Sequence, residues 1–121
     1  MIQKEFVPYE EALALKELGF DEPCFAVYFN PTQQLYFDKY INEFNKDVRT
    51  LAPTFSQAFR WFRENYGLNY EISYAGKVGE YHAFVKDYTY GNNGNSPSVF
   101  TYEEAELVCL KRLIELVKNK Q

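Results

Sequence analysis

Phe55-Ser56-Gln57-Ala58-Phe59-Arg60-Trp61-Phe62-Arg63-Glu64-Asn65-Tyr66-Gly67-Leu68-Asn69-Tyr70-Glu71-Ile72-Ser73-Tyr74 changes its hydrophobic period partway along. Up to Tyr66 the apolar positions Phe55, Ala58, Phe59, Phe62 and Tyr66 follow the i, i+3, i+4, i+7 spacing of one buried helical face, with Gln57, Arg60, Arg63 and Glu64 opposite. Gly67 stops the helix. Tyr70, Ile72 and Tyr74 then alternate with polar residues as a half-buried strand does. A helix that hands over to a strand across one glycine marks a chain of mixed α and β content.

Working outward, Pro8 precedes a helix expected over residues 9–18, which Gly19 ends. Cys24-Phe25-Ala26-Val27-Tyr28-Phe29 is too short for a helix and rich in strand formers. Asn30-Pro31-Thr32-Gln33-Gln34 then turns the chain into a hairpin partner, Leu35-Tyr36-Phe37-Asp38. From Lys39 to Thr54 the pattern is poorest. Ile41, Phe44, Val48 and Leu51 make a helical stripe that Asn42, Asn45 and Thr50 weaken, so the stretch reads as an irregular excursion. Ala75-Gly76-Lys77-Val78-Gly79 turns into a strand over residues 80–88, and the polar residues 91–98 read as a surface loop. Thr101 caps a final helix reaching about Asn119, with Glu104 placed for a capping box. The order α-β-β-α-β-β-α predicts a single α+β domain over residues 1–121, a small antiparallel sheet of about four strands with three helices mainly on one face.

Tyr and Phe occur eleven times each and, with one Trp, make 19% of the 121 residues aromatic. One His, two Cys and nine Ser and Thr together accompany them, so the chain carries more capacity for packing and stacking than for proton transfer. Burial in the core accounts for most of the rings. A domain this small leaves a fraction of its surface exposed, and exposed Tyr, Trp and Arg are the residues that carry interface energy. The net charge of −4 disfavours general binding to phosphate backbones. The N-terminus, Met1-Ile2-Gln3-Lys4-Glu5-Phe6, has no apolar run of signal-peptide type, and no window approaches a membrane span, so a cytoplasmic protein is expected. Cys24 and Cys109 lie far apart outside any C-x-x-C spacing and read as reduced, buried thiols.

Three helices begin alike, at Pro8-Tyr9-Glu10-Glu11-Ala12, Thr54-Phe55-Ser56-Gln57-Ala58 and Thr101-Tyr102-Glu103-Glu104-Ala105. An aromatic at the first helical position lies over an Ala three residues on, which is a habit of helix entry and not evidence of duplication. The stretch from Phe6 through Pro8-Tyr9-Glu10-Glu11-Ala12 to Gly19-Phe20-Asp21-Glu22-Pro23-Cys24 resembles the opening of a family of small proteins of Bacteroides-type bacteria and their phages. Ala58-Phe59-Arg60-Trp61-Phe62-Arg63-Glu64 with Tyr66-Gly67-Leu68 is similar to that family's central helix, and Thr101-Tyr102-Glu103-Glu104-Ala105-Glu106-Leu107 with Leu110-Lys111 to its C-terminal helix. These blocks cover about half the chain. The resemblance implies a phage or mobile-element context and brings no activity, cofactor or catalytic residue with it.

Arg60-Trp61-Phe62-Arg63 is the most suggestive cluster, Phe62 on the buried stripe, Trp61 on its flank and both Arg on the polar side. Arg beside a part-exposed Trp anchors protein partners or stacks on bases; the plainer reading is a solvated face whose Arg pair with Glu64 or other carboxylates. His82 has no second His to form a zinc site with, and a hydrogen-bonded strand residue is the favoured reading. Residues 91–98 lack both the Gly-Lys-Ser/Thr end of a P-loop and the G-x-G-x-x-G spacing. Glu106 falls inside the apolar arc of the last helix and reads as ion-paired or at the rim. That arc, with Tyr102, Ala105, Cys109, Leu113 and Leu116 beside Leu107, Leu110, Ile114 and Val117, is wide enough to meet the sheet and a further helix of this chain or of a second copy. No catalytic residue, metal site or cofactor is assigned. The expected activity is binding, to a protein partner or to itself, with nucleic acid on the Arg60, Trp61 and Arg63 face as the alternative and a small enzyme built around His82 as the third.

Overall fold

In the computed structural model the described residues are 2–37, 45–87 and 92–120. The chain divides into two compact units, residues 1–57 and residues 58–121. It is an α+β protein; among the described residues there are three α-helices, and the strands form two three-stranded antiparallel sheets where one sheet of about four strands was expected.

In the first unit a 3-10 turn, Ile2–Glu5, leads to α1 (Tyr9–Glu17). Gly19 closes the helix at φ +102°, a left-handed conformation that favours glycine, and Phe20 N–H then donates back to Leu15 O at 3.0 Å. Strands β1 (Ala26–Phe29) and β2 (Gln34–Phe37) form the expected hairpin, paired from Ala26 with Phe37 to Phe29 with Gln34. The third strand, β3 (Arg49–Ala52), lies within the stretch expected to be irregular and pairs with the other side of β1. It escaped notice because it has only four residues, and its one large apolar residue, Leu51, also fits a helical stripe. The part of that expectation over residues 39–44, and Asp38 at the end of the expected hairpin strand, lie outside the described residues.

As an edge strand, β3 needs partners for its outer backbone groups. The N-terminal segment lies beside its end, where Val7 N–H donates to the carbonyl of Pro53, the residue after β3, at 2.9 Å. The side chain of Lys16 supplies one, its ammonium donating to Arg49 O at 3.1 Å. Val7, Leu15, Ala26, Val27, Thr50 and Ala52 are fully buried or nearly so.

Helix α2 (Phe55–Tyr66) has the expected bounds and is capped by Thr54, whose Oγ1 accepts Gln57 N–H at 3.2 Å. Gly67, at φ +65°, reverses the chain directly into β4 (Leu68–Ala75). In the second unit β4 pairs with β5 (Glu80–Asp87), and β5 with β6 (Asn92–Val99). Strand β6 corrects the loop expected over residues 91–98: its Asn-, Gly- and Ser-rich sequence carries no apolar alternation, and backbone pairing with β5 holds it in the sheet. Tyr88 and Gly91 lie outside the described residues.

The last helix, α3 (Tyr102–Lys120), is capped by Thr101, whose Oγ1 accepts Glu104 N–H at 3.1 Å. It packs on β5, β6 and β4. Ala105, Cys109, Leu110, Leu113, Ile114 and Val117 of its apolar arc are buried, while Leu107 and Leu116 are half-buried. Register puts Leu68, Tyr70, Ile72 and Tyr74 of β4 on one sheet face with Val85, Ala83 and Tyr81 of β5. Ala83 and Val85 on that face are sealed from solvent.

Candidate functional site

The expected cluster on α2 separates into two core residues, Trp61 and Phe62, and two surface residues, Arg60 and Arg63. Trp61 is only 7% exposed, which corrects the part-exposed flank expected for it; its ring meets Phe62 edge-on at 5.1 Å and Tyr66 at 5.4 Å. The reason is geometric. The apolar arc of α2 is broader than the stripe of Phe55, Phe59, Phe62 and Tyr66, and a large indole beside it is drawn into the same burial. Arg60 is exposed and lies 3.5 Å from Glu64 one turn on; Arg63 is exposed as well.

His82 is half-buried on β5, its Nδ1 3.5 Å from Ser98 Oγ and its Nε2 3.9 Å from Glu80. With the Glu71–Lys86 pair at 3.4 Å, it belongs to the polar face of the second sheet, opposite Tyr70, Ala83 and Val85. Among the described residues no group of three His, Cys, Asp or Glu side chains is disposed to hold a metal ion. Cys24 and Cys109 are buried, free thiols. Loss of solvent is the main cause that pushes Cys24 up to about 12, with the Glu22 carboxylate adding to it. Cys109 is pushed up to about 11, again chiefly by burial, although its bond to Phe84 O opposes the rise. Thiols so held are poor nucleophiles. Glu106 is half-buried, and its charge contributes to raising both Cys109 and Tyr102.

Exposed apolar surface gathers elsewhere, at the end of the second sheet where β4 turns into β5. Tyr74 and Tyr81 face each other across the two strands, with ring centroids 4.8 Å apart. Tyr81 also meets Tyr102, the first residue of α3, at 5.9 Å in an edge-on contact. Tyr74 is 60% exposed and Tyr102 43%, and Val78 in the turn and Phe100 between β6 and α3 are more open still. The turn holds its shape through Gly79 N–H donating to Ala75 O at 2.9 Å, with Gly79 at φ +66°. The Tyr102 hydroxyl is raised above the ordinary tyrosine range, first by loss of solvent and then by Tyr70 and Glu106 beside it.

Carboxylates dominate the charge here: Glu80 begins β5, and Glu103, Glu104 and Glu106 follow Tyr102, against Lys77 in the turn. The sequence held a signal for this site, since Tyr74 and Tyr81 flank a glycine turn symmetrically, but Phe100 and Tyr102 join them only through the pairing of β6. Among the described residues no helix is long and apolar enough to cross a membrane. No protein-family model, curated protein or solved structure matches the chain.

Proposed function

We propose that the protein is a non-enzymatic interaction module whose contact surface is the aromatic end of the second sheet. The observation that carries this reading is the gathering of Tyr74, Val78, Phe100 and Tyr102, all substantially exposed, at one end of a rigid antiparallel sheet. Exposed Tyr is a typical interface anchor, because a large ring with few rotatable bonds loses little entropy on binding. The carboxylates of Glu80, Glu103, Glu104 and Glu106 give that end a negative rim, which suits a protein surface presenting Lys or Arg and opposes a phosphate backbone. The partner is therefore a basic protein surface. Burial of Trp61 and the pairing of Arg60 with Glu64 weaken the case for nucleic acid on α2. Burial of most of the α3 arc likewise leaves little of it for self-association. The proposed cytoplasmic location rests on the two free, buried thiols, and the phage or mobile-element context on the three sequence blocks that carry the resemblance.

The test is capture from host lysate with tagged wild-type protein and a Tyr74→Ser/Phe100→Ser variant, each with and without nuclease. A protein retained by the wild type in both arms and lost by the equally folded variant supports the reading. Retention that the variant leaves unchanged overturns it, and retention lost with nuclease transfers the function to nucleic acid.

A further inference from the structure

The two edges of the second sheet are built differently. An edge strand presents unpaired N–H and C=O groups along one side, and proteins blunt it with Pro, Lys, a bulge or a short length. Strand β6 carries such devices. Gly94 and Pro97 lie within it, and its pairing with β5 slips between His82 and Phe84, where the step from Ser98 to Asn95 spans one residue more than the step opposite. Strand β4, at the other edge, carries none of them. It runs for eight residues, Leu68-Asn69-Tyr70-Glu71-Ile72-Ser73-Tyr74-Ala75, without Lys, Pro or Gly and in unbroken register with β5. Among the described residues β5 is its only strand neighbour.

The side chains of β4 fall into two stripes. Tyr70, Ile72 and Tyr74 share one face, and each keeps accessible surface in the folded chain, Tyr70 and Ile72 half-buried and Tyr74 exposed. Asn69, Glu71 and Ser73 lie on the opposite, polar face. These stripes complement a copy of themselves. A two-fold axis normal to the sheet pairs residues of the same face, so it must pass between a residue and its own copy. Centred on Ile72, it sets Ile72 against Ile72 of the second copy, Tyr70 against Tyr74 and Glu71 against Ser73, and residues 69–75 of both chains pair. Centred on Glu71, it opposes two carboxylates, and centred on Tyr70 or Ser73 it shortens the ladder to five residues.

We propose that β4 pairs antiparallel with β4 of a second copy of this chain, in the register centred on Ile72, joining two three-stranded sheets into one of six strands. The pairing gives the outward backbone groups of both strands partners and adds two Tyr–Tyr contacts and one Ile–Ile contact across the axis. A ribbon of this length buries less surface than a permanent dimer does, so one chain and two exchange reversibly. The inference goes beyond the aromatic contact surface and is separable from it, because Glu71 and Ser73 lie on the face away from Tyr74.

The measurement is sedimentation velocity of the full chain from about 1 μM to about 1 mM, with amide hydrogen exchange at both ends of that range. Exchange between one chain and two is expected, with protection that grows with concentration at every second residue of 69–75, those whose N–H points away from β5. Ser73→Glu sets a carboxylate against Glu71 of the second copy, twice per dimer, and is expected to weaken association about tenfold. Ser73→Lys sets an ammonium there and is expected to strengthen it about tenfold, a gain that misfolding does not produce. A single chain at every concentration, a dimer indifferent to both substitutions, or outward amides already protected in the single chain overturns the proposal. So does protection that appears only when another protein is added, which gives the edge to a foreign strand. Ser73 takes no part in the capture experiment, so the two readings fail separately.

Discussion

The rings of Phe59 and Tyr70 stack with centroids 3.9 Å apart and planes 23° from parallel, locking α2 onto β4 across the single residue Gly67. Phe59 is 2% exposed. Its truncation removes a buried ring and half of the stack, and Phe59→Ala is expected to cost about 3–5 kcal/mol in urea unfolding. Tyr70→Phe keeps the stack and loses only the hydroxyl beside Tyr102, a change expected to stay under about 1.5 kcal/mol. Equal losses in the two variants would show that the hydroxyl, not the stack, is the anchor.

Trp61 and its two Arg neighbours should behave as different kinds of residue. At 7% exposure, Trp61→Ala is expected to cost about 3–5 kcal/mol. Arg60→Ala breaks an ion pair whose side chains are 53% and 58% exposed, and both it and Arg63→Ala are expected to change stability by less than about 1 kcal/mol. Thermal melts of the three single variants decide this. A mild effect of Trp61→Ala would return the indole to the surface and restore α2 as a contact face.

How much of this was legible beforehand follows from where side chains carry the information. Helix α2 was readable to the residue because Phe55, Phe59, Phe62 and Tyr66 repeat at helical spacing and both ends are marked, by Thr54 and Gly67. The β1–β2 hairpin was readable from an apolar run and a proline-containing turn. Strands β3 and β6 were not. Arg49-Thr50-Leu51-Ala52 gains its place by pairing with β1, and Asn92–Val99 by pairing with β5, and backbone hydrogen bonds leave no pattern in the sequence. The same gap hid the candidate site, since Phe100 reaches the tyrosines through the pairing of β6 with β5.

The two thiols give a pH dependence of definite sign. Both are raised in the folded protein, from an ordinary 9.0 to about 12 for Cys24 and about 11 for Cys109. Folding therefore favours the protonated thiols: their contribution is fully present below pH 9 and is lost as pH rises through 11 and then 12. Stability measured by urea midpoint is expected to fall across that interval, and less steeply in Cys109→Ala once its lower starting stability is subtracted. Alkylation with iodoacetamide at pH 8 should likewise leave both thiols intact until the chain is unfolded. Rapid labelling of the native protein at either Cys would contradict the burial on which this rests.

Asn30 organises the polar centre of the first unit. Its Oδ1 accepts from Thr50 Oγ1 at 2.7 Å and from Tyr9 OH at 3.4 Å, and Thr50 is fully buried. Removing the acceptor strands a hydroxyl that water does not reach, so Asn30→Ala is expected to cost about 1–3 kcal/mol. Thr50→Val removes the donor while Asn30, half-exposed, turns to solvent, and should cost less. The double variant Asn30→Ala/Thr50→Val removes the buried hydroxyl as well, leaving the half-buried Tyr9 hydroxyl as the group that loses an acceptor, and is expected to be more stable than Asn30→Ala alone by about 1 kcal/mol. Additive losses in this cycle would mean that the hydroxyl finds another partner once Asn30 is gone, and that the 2.7 Å bond holds β3 against β1 less tightly than the backbone pairing does.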